Sequence, residues 1–405
     1  MDYDYSPRAW QKIVYAGAEG SSFAAGARHL RELAELHVSA ERVRRASERI
    51  GGERVAERDA RAAAYAALSL PAQRAAATDE PVPPMAAISM DGGRLQIFDR
   101  RDPQRDPDEG LWREMKVGWL ATMTSQASAA DPCPQLPESF VDPARISQLV
   151  REIKGFSAAD PPAESAVTEP AEEAEGPAEQ RPGRPQVRAK SVVATRRGVE
   201  EFGRLLAAEA WQRRLFLAPL KAFVADGAEA NWGVWRRHFS DYVPITDFIH
   251  ALTYVYAAAL SGQAAEEGWQ AYRQWAQWLW GGQVQQLIAA LEARQQSLGE
   301  PVPEDAEQAP RRVVAKTLGY LRNQAERMRY DEYRRLGLPI TSTHIESTVK
   351  QVNRRMKGTE KFWSEGTEAM LTLVADNLSD TPTLAHFWRD RPHRLNGSRC
   401  YHTSA

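Results

Sequence analysis

Three short segments carry side chains whose types and spacing could do chemistry together. They are Ile88-Ser89-Met90-Asp91-Gly92-Gly93, Val224-Ala225-Asp226-Gly227-Ala228 and Leu338-Pro339-Ile340-Thr341-Ser342-Thr343-His344-Ile345-Glu346-Ser347. In the first two, an aspartate ends an apolar, strand-like run and a glycine turn follows. In the third, a glutamate stands near the start of a basic helix. Three carboxylates from distant parts of a chain are the donor set with which two hard divalent cations sit beside a phosphate. A carboxylate at a strand's end, next to a residue without side-chain bulk, can face such a cation and let a nucleotide come close. Each segment alone has a plainer reading. Asp-Gly is among the commonest turn pairs, and Glu346 three residues after Thr343 has the spacing of a capping glutamate. The set carries the chemistry, which is metal-dependent attack on a nucleic-acid backbone.

Charge around these segments is uneven. Residues 311–361 hold thirteen Lys or Arg against five acids, a local net of +8 in a chain whose overall net charge is −2. Glu346 lies one helical turn from Lys350 and two from Arg354, and Arg355 and Lys357 extend the basic face. Such a face suits a polyanion, although a run of charge is also what a solvated helix shows. Asp247-Phe248-Ile249-His250 adds a DxxH cluster after the strand that follows Asp226, where His250 reads equally as a satisfied core histidine.

The elements that must position these residues fall into five stretches. Residues 1–80 read as helical: an apolar period over Ala16–Leu36, a break at His37-Val38, then Ser39 capping a helix from Ala40 to about Ile50 that ends at Gly51-Gly52. That second helix presents Arg42, Arg44, Arg45 and Arg49, the outline of a helix-turn-helix, or equally of a helical hairpin with a solvated face. Residues 81–260 carry strands at Met85–Met90, Arg94–Phe98 and Trp112–Met123, then helix and strand in alternation, with Val243–Ile249 as an apolar strand. Within them, residues 157–187 hold seven acids and six prolines against two arginines, a composition that cannot bury enough apolar surface to order itself. Residues 261–330 are an all-α insertion rich in tryptophan (Trp269, Trp275, Trp278, Trp280), whose helical spacing reads as core. Residues 331–390 return to the α/β part with the third acid, and 391–405 form a tail. Strands first and α/β alternation afterwards predict an α/β class, an RNase H-like mixed sheet flanked by helices.

Cys133 and Cys400 are the only cysteines. They lack metal-site spacing, and a reducing compartment fits them. The charged N-terminus has no apolar run of the signal-peptide kind, and stretches such as Tyr254–Leu260 are too short to span a bilayer. The expected setting is cytoplasmic.

The chain resembles bacterial insertion-sequence DDE transposases of the ISKra type over most of residues 1–390. The likeness is densest in AISMDGGRLQIF with WREMKVG, in FVADGAEANW followed by HFSDYVPITDFIHALTYVYAAA, and in YLRNQAERMRYDEYRRLGLPITSTHIESTVKQVNRRMKGTEKFWSEGTEAML. The resemblance implies an RNase H-like catalytic domain and two Mg²⁺ or Mn²⁺ ions held by Asp91, Asp226 and Glu346. It makes Asp247 and His250 the auxiliary pair of a C/D-x-x-H signature. It also implies double-stranded DNA (element ends and target) as partner, nucleoid association and a homo-oligomer on paired ends. The cysteine-pair region that many relatives carry ahead of the catalytic domain is missing here, so a shortened N-terminal part is expected. A nuclease of the same fold and a non-catalytic DNA-binding protein are the alternative readings.

Overall fold

A computed structural model describes residues 5–75, 77, 81–98, 111–154, 184–358 and 361–394. Most of the acidic stretch 157–187 and most of the 391–405 tail lie outside these residues. From the N-terminus, α1 (Pro7–Glu19), α2 (Phe23–Ala34), α3 (Ala40–Ala66) and the single turn α4 (Leu70–Gln73) precede β1 (Met85–Gln96) and β2 (Trp112–Thr124). Next come α5 (Pro143–Lys154), β3 (Gln186–Thr195), α6 (Val199–Gln212), β4 (Leu220–Ala225), α7 (Glu229–His238) and β5 (Val243–Thr246). The remaining helices are α8 (Phe248–Leu260), α9 (Ala265–Trp280), α10 (Val284–Leu298), α11 (Pro310–Gln324), α12 (Tyr330–Arg335), α13 (Thr343–Met356), α14 (Thr367–Leu378) and α15 (Thr383–Arg394).

The class is mixed α/β: a five-stranded mixed sheet in the order β3-β2-β1-β4-β5, flanked by helices. Two compact units divide the chain, one of residues 1–122, 187–219 and 343–405, the other of 123–186 and 220–342.

In the first unit the N-terminal helices pack on the rest rather than standing alone. Helix α3 runs straight through Gly51-Gly52 instead of ending there. The reason is packing. A Cβ on Gly51 would come within 2.5 Å of the Ala369 carbonyl oxygen, so α3 and α14 cross closely at that point. Arg54, almost fully buried, locks the same crossing by donating to both carboxylate oxygens of Asp376 at 2.8 and 3.2 Å. The apolar period over Ala16–Leu36 also belongs to two helices, because Ser22 caps a new one by accepting from the Ala25 N–H at 3.0 Å. Strand β1 is a single strand from Met85 to Gln96, and Asp91-Gly92-Gly93 lies inside it rather than forming the expected turn. Its burial changes there, from both faces covered over Met85–Met90 to alternating beyond. Two strand pieces separated by a glycine pair are therefore one element.

In the second unit β4 and β5 run parallel, with Ala222 opposite Val243 and Ala225 opposite Thr246. Strand β5 stops three residues earlier than the apolar run Val243–Ile249 predicts. Asp247 caps α8 instead, its Oδ1 accepting from the His250 N–H at 2.7 Å, and Phe248 and Ile249 turn into the helix core. Phe248 packs edge-on against Trp280 and Tyr330 at 5.0 and 5.2 Å between centroids. Trp275, Trp280 and Tyr272 are buried as their helical spacing implies, while Trp269 and Trp278 are half-buried. Asp131 and Arg334 tie the segment after β2 to α12, with Arg334 also stacked 3.9 Å from the Trp280 ring. Among the described residues no helix is long and apolar enough to cross a membrane.

Candidate functional site

Asp226 follows the buried run Ala222–Ala225 and is held from several sides. Its Oδ1 accepts from the Ala228 N–H at 2.9 Å and from the Asn231 Nδ2 at 2.8 Å. Its backbone carbonyl accepts from the Tyr320 hydroxyl at 2.9 Å, and the Gly227 carbonyl accepts from the Gln324 amide at 3.1 Å. Gly227 has φ +100°, and a Cβ there would meet the Tyr320 ring at 2.8 Å. Glycine is required on both counts. Burial pushes the Tyr320 phenol well above its ordinary value, with the charge of Asp247 adding to it, so Tyr320 remains a proton donor to the Asp226 carbonyl. Tyr254 stacks on Tyr320 at 3.9 Å and 12°, and its own phenol is raised by burial and then by the Asp226 carboxylate. Among the described residues nothing donates a hydrogen bond to Asp226 Oδ2, which leaves one lone-pair set on an otherwise immobilised carboxylate.

Asp247 occupies the equivalent place one strand over, and its surroundings differ. Its N–H donates to the Ala225 carbonyl at 2.7 Å, its side chain is 0 % exposed, and both carboxylate oxygens are used. Oδ1 takes the His250 N–H, and Oδ2 takes the N–H of Ser342, the residue that precedes α13 in the chain. Two backbone donors on a fully buried carboxylate give a capping and loop-anchoring residue. The DxxH spacing thus arises here because His250 is the third residue after an N-cap. The His250 side chain is half-buried, and its carbonyl accepts from the Thr253 hydroxyl at 2.7 Å.

Asp91 and Glu346 belong to the first unit, on β1 and on the first turn of α13, which packs along β1. Asp91 Oδ1 accepts from the Gly92 N–H at 2.6 Å, and both acids are half-buried. Asn353, two turns along α13 from Glu346, approaches the same strand: a Cβ on Gly93 would lie 3.7 Å from its Oδ1. Close by, His344 stacks on Trp119 at 5.0 Å and 10°.

The basic residues divide. Lys350, Arg354 and Lys357 are exposed. Arg355 is not: it is 4 % exposed, donates Nε–H to the Gly17 carbonyl at 2.8 Å, and lies 4.4 Å from the Phe23 ring and 5.1 Å from Trp363. Burial lowers its pKa to about 10. One helical step of 100° turns it from the exposed side of Arg354 into the packing of α1 and α2, so it leaves the expected phosphate-binding set. The α3 arginines are engaged as well. Arg44 pairs with Glu41 and Glu48, Arg45 with Glu41 and Arg49 with Glu53, while Arg42 donates to the Tyr5 hydroxyl at 3.2 Å. The bonds from Arg44 and Arg45 hold Glu41 at about 2.

Among the described residues no group of three or more His, Cys, Asp or Glu side chains is arranged to hold a metal ion. The carboxylate oxygens of Asp91, Asp226 and Glu346 are nonetheless the hard donors that Mg²⁺ or Mn²⁺ prefers. Asn231, Tyr320 and Gln324 escaped sequence reasoning. Asn231 follows Asp226 by five residues, a legible spacing. Tyr320 and Gln324 lie more than ninety residues away and carry no local signal. No known family model matches this chain, and neither does any curated protein.

Proposed function

We propose that this protein is a DDE-type transposase with an RNase H-like catalytic domain, acting on double-stranded DNA at element ends and target as a homo-oligomer in the bacterial cytoplasm and nucleoid. The observation that carries this reading is the Asp226 carboxylate: one oxygen is fixed by Asn231 and the Ala228 N–H, the other takes no hydrogen bond among the described residues, and a glycine beside it bars side-chain bulk. The bonds to the Ala228 N–H and Asn231 shape the turn into α7, and they leave the second oxygen open beside a position without side-chain bulk. Two Mg²⁺ or Mn²⁺ ions, held by Asp91, Asp226 and Glu346, would supply activation of the attacking oxygen and charge stabilisation at the leaving oxygen.

The chain's own residues divide the remaining work. Asn231 and the Ala228 amide orient the Asp226 carboxylate, and Tyr320 and Gln324 fix the backbone beneath it. Asp91, anchored by the neighbouring amide, and Glu346, in the first turn of α13, bring the second and third carboxylates. Lys350, Arg354 and Lys357 hold phosphates, so binding weakens as salt rises. Asp247 acts through the fold and not on the substrate.

The test is cleavage and joining of a plasmid carrying the element ends, with Mg²⁺ or Mn²⁺, by wild type and Asp226→Asn. Cutting and joining by wild type alone is expected. Cutting without joining turns the assignment to a nuclease. A gel shift by both proteins with no cutting by either removes catalysis.

A further inference from the structure

Three of the exposed large apolar side chains lie on one rim of the first unit: Phe98 (48 % exposed), Trp112 (37 %) and Phe362 (48 %). Their backbone is fixed. The Phe98 N–H donates to the Trp363 carbonyl at 2.7 Å, the Trp363 N–H to Gln96 at 2.9 Å, and the Ile97 N–H to Leu111 at 2.7 Å. Phe98 and Phe362 meet edge to face at 6.4 Å. Cations crowd the same rim. The Lys357 ammonium lies 5.3 Å from the Trp112 ring, and Lys361 donates to the carbonyls of Arg354 and Arg355 at 3.1 Å, capping α13. Among the described residues none of Arg354, Lys357 and Lys361 makes an ion pair with an acid.

Rings held half open to solvent cost free energy unless something covers them, and the surrounding charge selects what does. An apolar partner protein would bury three cations without compensation. A nucleic-acid strand with unstacked bases satisfies both halves at once, its bases on the rings and its phosphates on the cations. A duplex offers the phosphates but keeps its base faces stacked. We propose that Phe98, Trp112 and Phe362, with Arg354, Lys357 and Lys361, form a docking rim for unpaired DNA. The proposal deepens the DNA reading given above, resting on it for DNA as the substrate but not for the chemistry.

The experiment measures binding of the full chain to a labelled thymidine oligonucleotide of about 12 nucleotides and to a blunt duplex of equal length, at fixed salt without divalent metal. Trp112→Ala is expected to weaken oligonucleotide binding roughly tenfold, the loss of one stacked base, and to leave duplex binding unchanged. Trp112→Phe restores most of it. Should Trp112→Ala unfold, the pair Phe98→Ala and Phe362→Ala carries the test with the same expectation. Equal loss on both DNAs, no loss on either, or a change in oligomeric state with oligonucleotide affinity intact overturns the proposal. Oligonucleotide binding that depends on Trp112 in a protein that never cuts the plasmid leaves the rim standing and removes the transposase. A plasmid-cutting protein indifferent to Trp112→Ala does the reverse.

Discussion

Asp226 and Asp247 stand side by side in the second unit, each directly after one of two parallel strands whose last residues are in register. In sequence each is an acid set against an apolar run, Asp226 closing one and Asp247 lying within Val243–Ile249. The fold treats them differently. Asp247 is fully buried, with each oxygen engaged by a backbone N–H, one starting α8 and the other securing the chain just before α13. Asp226 is half-buried, has one oxygen fixed and the other without a hydrogen bond among the described residues, and sits beside a residue that must be glycine. The two differ in how many oxygens the protein has already engaged, and on the function proposed above that difference separates a structural from a ligating carboxylate. A fully buried carboxylate with a backbone N–H on each oxygen must give up fold contacts to turn towards a cation, while an immobilised one with an unbonded oxygen loses little on coordination.

The largest way to break this comparison is to exchange the two outcomes. Asp226→Asn keeps the Oδ1 acceptor for Asn231 and Ala228, so stability should stay within about 0.5 kcal/mol of wild type. Strand cleavage should fall by at least about 10³-fold, the loss of several kcal/mol of charge stabilisation. Asp247→Ala should do the opposite and lose about 2–4 kcal/mol in urea unfolding, because it strands two buried N–H groups and removes a helix cap. A stable but inactive Asp247→Ala protein would end the structural assignment and return Asp247 to the chemistry.

Local signals made the elements legible and long-range packing hid the rest. The apolar run Ala222–Ala225 and the Asp-Gly pair after it are readable in sequence, and they place Asp226 correctly after β4. The same logic misplaces Asp91-Gly92-Gly93, because a glycine pair can stay in a strand when neighbours supply the hydrogen bonds. It also misplaces Gly51-Gly52, where the close approach of Ala369 and not local propensity decides that α3 continues. Arg355 reads as surface charge beside Arg354, and nothing local reveals that Phe23 and Trp363 enclose it. Tyr320 and Gln324 support Asp226 from α11, a relation only the folded chain creates.

Smaller effects sharpen the comparison. Tyr320→Phe removes one hydrogen bond to the Asp226 carbonyl while keeping the ring stacked on Tyr254. It should cost about 1 kcal/mol of stability and weaken Mn²⁺ binding, read by calorimetry, by roughly tenfold. An unchanged affinity would show that Asp226 needs no support from α11.

Asp131 supplies a third aspartate whose oxygens are spent on the fold, and it predicts the smallest change. Burial raises its carboxyl, but the bonds from Arg334, joined by the Cys133 N–H, outweigh this and hold it below its ordinary value. A carboxylate depressed in the folded state stabilises fully above its unfolded pKa, about 3.9, and that contribution is lost as pH falls through the lower folded value. Wild type should therefore exceed Asp131→Asn in unfolding free energy at pH 6, and the gap should narrow as the pH drops through 4 towards 3. The pair is partly solvated, which keeps the difference small. A gap that widens on acidification would mean that burial, not the Arg334 bonds, governs this carboxyl, and the rule that committed oxygens mark a structural acid would fail at its mildest case.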